Sequence, residues 1–182
     1  MMKKIREYLP FAFAMLCLLA ARSSFADHYL VPSGSMENAL YAGDHVVVDK
    51  RAYGLRVPFT LEKIRPGAHP QRGDVVIFDS PADGTRLIKR VVAVGGDLVE
   101  VRNGRVRIDG AEEHVATLNF AYGGGPDLGP VRVPAGKLLA MGDARGNSFD
   151  GRYFGFVDER IIYARGVAVF FRSGEGFVWR EL

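Results

Sequence analysis

Two serines separated by a glycine, Ser33-Gly34-Ser35, sit in the stretch Val31 to Met36, directly after an apolar N-terminal run. Such a Pro-Ser-Gly-Ser sequence forms an ordinary turn in most settings, but each hydroxyl is also a candidate nucleophile if a base lies beside it. A lysine, Lys89, lies within Arg86-Leu87-Ile88-Lys89-Arg90-Val91-Val92. On a strand it shares a face with Leu87, Val91 and Ala93, while Arg90 shares the other with Ile88 and Val92. An amine on an apolar face is either an edge residue reaching for water or a desolvated group with a lowered pKa, which can act as a general base. The third cluster is Gly142 to Gly155, which packs Asp143, Arg145, Asn147, Ser148, Asp150 and Arg152 behind an apolar stretch. By itself it reads as a polar loop with internal ion pairs. The four histidines (His28, His45, His69, His114) show no ligand spacing, and with the single Cys17 no cysteine zinc site or intrachain disulfide can form. The sequence therefore implies no metal and no organic cofactor.

The elements that must carry these residues are short. Apolar runs recur between glycines and prolines at His45 to Asp49, Asp74 to Phe78, Leu87 to Val94, Leu98 to Ile108, Leu138 to Met141, Ile161 to Ala164 and Val167 to Phe171. In Leu98 to Ile108 an Asn103-Gly104 pair separates two alternating arms, a strong hairpin signal because both central residues take positive φ. This pattern gives a mostly β fold. Ala121 to Pro130, with Gly123-Gly124-Gly125-Pro126, reads as a mobile loop.

The 182 residues carry a formal charge of +3, all of which lies in residues 1–26. Residues 27–182 balance acid against base, which argues against nucleic-acid binding. The N-terminal segment is basic from Met1 to Glu7 and apolar from Tyr8 to Ala21. Fourteen helical residues span about 21 Å of a hydrocarbon layer about 30 Å thick. Two readings stay open on this segment alone. One is a cleaved secretory signal ending at Ser24-Phe25-Ala26; the other is an uncleaved anchor, 1–26, with Lys4, Arg6 and Arg22 at the interfaces. Both place residues 27–182 outside the cytoplasm.

Taken together and in order, these blocks resemble type I signal peptidase, the membrane-bound serine protease that removes signal peptides from exported preproteins. Ser33-Gly34-Ser35-Met36, Gly43 to Lys50, Arg72 to Phe78, Ile88 to Val92 closed by Gly95-Gly96-Asp97, and Gly142 to Gly155 each match a family block. The resemblance implies a signal-peptidase-type β fold with a small β insertion at about 99–133, preceded by one N-terminal transmembrane helix. It implies Ser35 as nucleophile and Lys89 as general base. The hydroxyl of Ser33 and the N–H of Ser35 become the oxyanion hole, Ser148 orients the lysine, and Asp143, Arg145, Asp150 and Arg152 support the geometry. It favours the uncleaved anchor, with the catalytic domain on the periplasmic face of the bacterial inner membrane. Substrates would carry small residues one and three positions before the cut. The implied partners are preprotein signal peptides and the lipid bilayer. Tyr53 to Phe59 resembles a further family segment whose apolar tip would touch the membrane. Asn38-Ala39 replaces a usual Pro-Thr pair, and Ala144, Gly146 and Gly151 replace more polar residues. These departures keep two alternatives in view: a specialised relative that processes one pilin-like or conjugative-transfer substrate, and a non-catalytic presequence-binding domain.

Overall fold

A computed structural model describes residues 8, 10–17, 19, 25–57 and 63–182. Valine-rich, alternating segments become strands, and an eight-stranded antiparallel sheet dominates. Its main path runs β1 (Ala26–Leu30), β2 (His45–Asp49), β13 (Ile162–Arg172), β5 (Val75–Asp79), β6 (Arg86–Val94), β11 (Lys137–Met141) and β12 (Val157–Asp158), with β14 (Gly176–Glu181) paired to β13. A four-stranded sheet of β7 (Leu98–Arg102), β8 (Arg105–Ile108), β9 (Ala111–Glu112) and β10 (Leu128–Arg132) packs beside it. A small hairpin joins β3 (Gly54–Arg56) to β4 (Lys63–Pro66).

The pleat of β6 divides the core. Ile88 faces a cluster with Val31, Met36, Leu40, Val46, Val48 and Ile77. Val91 faces Val76, Phe78, Leu138 and Ile162. Val92 and Ala93 join β11 to the inner side of the small sheet, against Val99, Val101, Val106 and Ile108. One nine-residue strand thus touches every apolar cluster, so its position is fixed from all sides.

The expected strands form with small changes. Asn103 and Gly104 take φ of 48° and 76° at the β7–β8 turn, the conformation the Asn-Gly pair requires. The two runs at 161–164 and 167–171 are one strand, β13, since Arg165 and Gly166 keep pairing with β2. The glycine-rich stretch 121–130 is a turn-containing segment tied to its neighbours. Leu128–Pro130 belong to β10, Asp127 Oδ1 accepts from Asn103 N at 2.7 Å, and Arg152 Nη1 donates to Gly124 O at 2.6 Å. Its glycines serve close approach: a Cβ on Gly124 would overlap the backbone of Asn103.

Parts of the expected membrane contact lie outside the described residues, namely 1–7, 9, 18 and 20–24 of the anchor and 58–62, which include Phe59. Residues 10–17 are helical and exposed, and among the described residues no helix is long and apolar enough to cross a membrane.

A buried ion pair ties the far end of the sheet together. Arg172 donates to both oxygens of Asp44, from Nε at 2.9 Å and from Nη2 at 2.7 Å, with Asp44 fully buried. Removing one member leaves an uncompensated charge in the interior. Arg172→Met is expected to lower unfolding free energy by about 3–5 kcal/mol, and the double variant with Asp44→Asn to recover part of that loss. Urea denaturation of the three proteins checks both statements.

Candidate active site

A 3-10 turn, Gly34–Met36, follows the extended Ser33 and places the Ser35 side chain inward. The turn is anchored twice. Met36 is fully buried in the core beneath it, and Ala144 N donates to the Ser35 carbonyl at 3.1 Å. Lys89 extends from β6 toward the same point. Its Nζ lies 2.5 Å from Ser35 Oγ, across 54 residues of sequence. Only 6% of Ser35 and 3% of Lys89 is exposed. Leu87 and Val91, on the lysine's own face, pack into the apolar cluster beside it.

Burial sets the charge state of this amine. Removal from water pushes the Lys89 pKa from an ordinary 10.5 down to about 8. The carboxylates of Asp150 and Asp143 pull it back up, and Arg152 pushes it down. The acids act weakly because each already holds an arginine. Asp150 pairs with Arg152 at 2.9 Å, both side chains being fully buried. Asp143 accepts from Arg90 Nε at 2.9 Å and Nη2 at 2.8 Å, and from Thr117 Oγ1 at 2.5 Å. Desolvation therefore prevails over two nearby but neutralised anions.

The last polar cluster folds around this pair. Asp150 caps the short helix Gly151–Phe154 and accepts from Gly142 N at 3.1 Å. Arg152 reaches the carbonyls of Arg145 and Gly124. The glycine departures are close contacts rather than slack. A Cβ on Gly146 would overlap the Tyr122 carbonyl, and one on Gly151 would meet Leu139 Cδ1 at 2.6 Å. Asn38 takes φ of 82° and donates from Nδ2 to Leu118 O at 3.1 Å, joining the serine turn to the segment that leads back from the small sheet.

The expected site residues are placed as follows. Ser35 and Lys89 meet, and Ser33 Oγ lies 3.5 Å from Ser35 Oγ. Asp143, Asp150 and Arg152 form the buried pairs around Lys89. Arg145 is 1% exposed, with Nη1 3.6 Å from Met141 Sδ and with Nε and Nη2 unpartnered; burial pulls its pKa down to about 10. Ser148 departs from expectation. Its hydroxyl is buried beside Gly142 and the Ser35 backbone, but it has no hydrogen-bond partner, and the expected bond to Lys89 is not formed. The amine is turned instead toward Ser35 Oγ. Sequence reasoning missed Arg90 and Thr117 as the partners of Asp143. The alternation along β6 sets Arg90 opposite Lys89, but nothing marks Thr117, which arrives from the connection between β9 and β10.

An open seam leads to this pair. Ser80 N donates to Thr85 O, so the antiparallel alternation turns the backbone groups of Arg86 and Ile88 away from β5. β11 pairs with β6 only from Arg90 onward, which leaves Arg86–Lys89 without a strand on that side among the described residues. β1 is the end strand of its sheet, yet Tyr29 of β1 reaches Arg86 of β6. The sheet therefore curls until two strand edges face each other, with Ser35 and Lys89 at one end of the gap.

Comparison with known proteins agrees with this geometry. Residues 5–171 match the family model described as signal peptidase, peptidase S26. This chain belongs to the signal peptidase family. By family it is a hydrolase, a peptidase. It is 34% identical to probable signal peptidase I-1 of Synechocystis sp., over 98% of this chain and 87% of that protein. It is 31% identical to probable signal peptidase I-2 of the same organism, over 86% of this chain and 68% of the relative. Identity is 34% with signal peptidase I of Pseudomonas fluorescens, over 82% of this chain and 61% of that protein.

The depressed lysine pKa carries a stability cost with a definite sign. Between about 8 and 10.5 the folded chain binds fewer protons than the unfolded one. The penalty is therefore full below pH 8 and fades as pH rises toward 10.5. Lys89→Met is expected to stabilise the fold by about 1–3 kcal/mol at pH 7, with a gain that shrinks by pH 10. Thermal melts of both proteins at the two pH values check this.

Proposed function

We propose that this chain is a membrane-bound serine endopeptidase that removes signal peptides from exported preproteins with a Ser35/Lys89 dyad. The observation that carries the reading is the buried amine 2.5 Å from a buried hydroxyl. A binding scaffold gains nothing from keeping a lysine dry, whereas a base working near neutral pH needs it.

In this mechanism the neutral Lys89 amine accepts the Ser35 hydroxyl proton as Oγ attacks the scissile carbonyl. The negative charge that forms on the carbonyl oxygen is met by the Ser33 hydroxyl and the Ser35 N–H. The Lys89 ammonium then gives its proton to the departing amine, leaving an ester on Ser35. A water molecule, deprotonated by Lys89, hydrolyses that ester and restores the serine. With a pKa near 8, a minor but useful fraction of the amine is neutral at pH 7. Asp150–Arg152 and Asp143–Arg90 hold the surroundings while adding little net charge.

The substrate enters as an extended strand along the open edge of β6, where Ile88 offers its backbone groups. Residues 1–26 act as a single anchor that holds the catalytic domain on the outer face of the inner membrane, where signal peptides arrive. Their basic start and apolar run support that placement.

The test is presequence cleavage by the detergent-solubilised full chain, with general secretory presequences beside one pilin-type precursor. Ser35→Ala and Lys89→Ala are expected to abolish cleavage with circular dichroism unchanged. Ser33→Ala should lower kcat by about 10²–10³ without abolishing it. Cleavage of the pilin precursor alone would give the specialised peptidase. A folded wild type that cleaves nothing, or a Ser35→Ala protein that still cleaves, would refute the reading.

A further inference from the structure

The mechanism makes no use of the outward face of the main sheet. His28 on β1 and His45 on β2 both lie on that face, because the inward positions of these strands are taken by Tyr29, Val46 and Val48, which pack in the core. The antiparallel register sets His28 opposite Val47 and His45 opposite Leu30, so the two histidines are diagonal neighbours across the ladder. Their rings are stacked, with centres 6.0 Å apart and planes 23° from parallel. They stand far apart in sequence with no local ligand spacing, and only the strand pairing joins them.

The surroundings suit a ligating pair. Phe170 meets both rings nearly edge-on, at 6.5 Å from His28 and 5.8 Å from His45, and Phe171 meets His45 at 5.5 Å. These apolar rings limit how far the imidazoles can swing apart. On His28, Nδ1 lies 3.7 Å from Asp27 Oδ1, and Asp27 is held in turn by Lys50 Nζ, 3.1 Å from its Oδ2. A carboxylate beside one ring nitrogen is the common outer partner of a metal-bound histidine; it fixes the tautomer and makes the other nitrogen the better ligand. For His28 that nitrogen is Nε2. The side chain is 53% exposed, so an ion can reach it from solvent.

The spacing fits one ion between the rings. An imidazole nitrogen binds a transition-metal ion at about 2.0–2.1 Å, and the ring centre lies about 1 Å further on, so two ligating rings have centres about 4.5–6.5 Å apart, depending on the angle at the metal. The observed 6.0 Å lies inside that range. Rotation about χ2, a soft torsion in histidine, turns both nitrogens toward one point. Among the described residues no group of three or more such donors forms, so the protein supplies two imidazoles and water completes the shell. Imidazole favours copper, nickel and zinc over magnesium or calcium, and affinity among these three peaks at copper.

We propose that His28 and His45 form a two-imidazole site for a divalent transition-metal ion, copper(II) foremost, that clamps the end strand β1 to β2. The site is separate from Ser35 and Lys89 and does not depend on the peptidase reading. Because the pair exists only when β1 and β2 are joined, the ion binds the folded chain and stabilises it.

The experiment titrates copper(II) into the untagged full chain in detergent, following uptake by calorimetry and the bound ion by electron paramagnetic resonance. Wild type is expected to bind one ion with two nitrogen ligands and to melt at a higher temperature with copper than without. His28→Ala and His45→Ala should each weaken uptake about tenfold or more, because each leaves a single imidazole and removes the chelate. The double variant His69→Ala/His114→Ala should bind as wild type does. No uptake by wild type, a spectrum without two nitrogen ligands, or affinity unchanged in both single variants overturns the proposal. If His45→Ala, which loses packing against Phe171, does not fold, His28→Ala decides, and unchanged affinity there overturns it.

Discussion

The contact between the Lys89 amine and the Ser35 hydroxyl requires an amine kept away from water, and most of the molecule bears on that requirement. A lysine buried in apolar surroundings is disfavoured while charged, and β6 accepts this cost by placing Leu87 and Val91 on the same face. The cost is tolerable because β6 touches every apolar cluster of the fold, so the strand cannot shift to release the amine. Two carboxylates close by would recharge it if they stood alone. Each is matched by an arginine, Arg152 for Asp150 and Arg90 for Asp143.

The small sheet takes part in this balance. Thr117 and Asn119, which lie in the connection between its strands β9 and β10, bond to Asp143 Oδ2 and to the Asp143 and Arg145 backbone. Gly124 accepts from Arg152. The glycines at 124, 125 and 146 let these segments approach so closely that any side chain there would collide with backbone. A region that reads as punctuation in sequence is the clamp on the charged loop.

The sequence made the strands legible because their valines, isoleucines and leucines alternate or run between glycines and prolines, and because Asn103-Gly104 has a defined turn geometry. It also made Ser35, Lys89 and the polar block Gly142–Gly155 legible, though as three separate features whose meaning came from resemblance. Alternation placed Lys89 on an apolar face but left a snorkelling edge residue as the simpler reading; only the packing of Leu87, Val91 and Met36 removes it. The Tyr29–Arg86 bond, the Thr117 contact and the Asp44–Arg172 pair were illegible. Each joins residues 57, 26 and 128 positions apart, respectively, with no local pattern to announce them. Ser148 marks the limit of carrying a role over from a family: the residue sits beside the Ser35 backbone, yet its hydroxyl has no partner.

The central claim is that Lys89 works as a neutral base because it is buried, and the pH dependence of kcat/KM tests it most directly. The full-length wild-type chain would be assayed in detergent on one good presequence peptide from pH 6 to pH 10.5, within the range where circular dichroism shows it folded. The account predicts activity that rises with pH along a single limb with an apparent pKa of about 8 and then levels off, since the amine is active only once its proton has left. A limb displaced to the ordinary lysine value of 10.5, or a profile flat through pH 8, would contradict it.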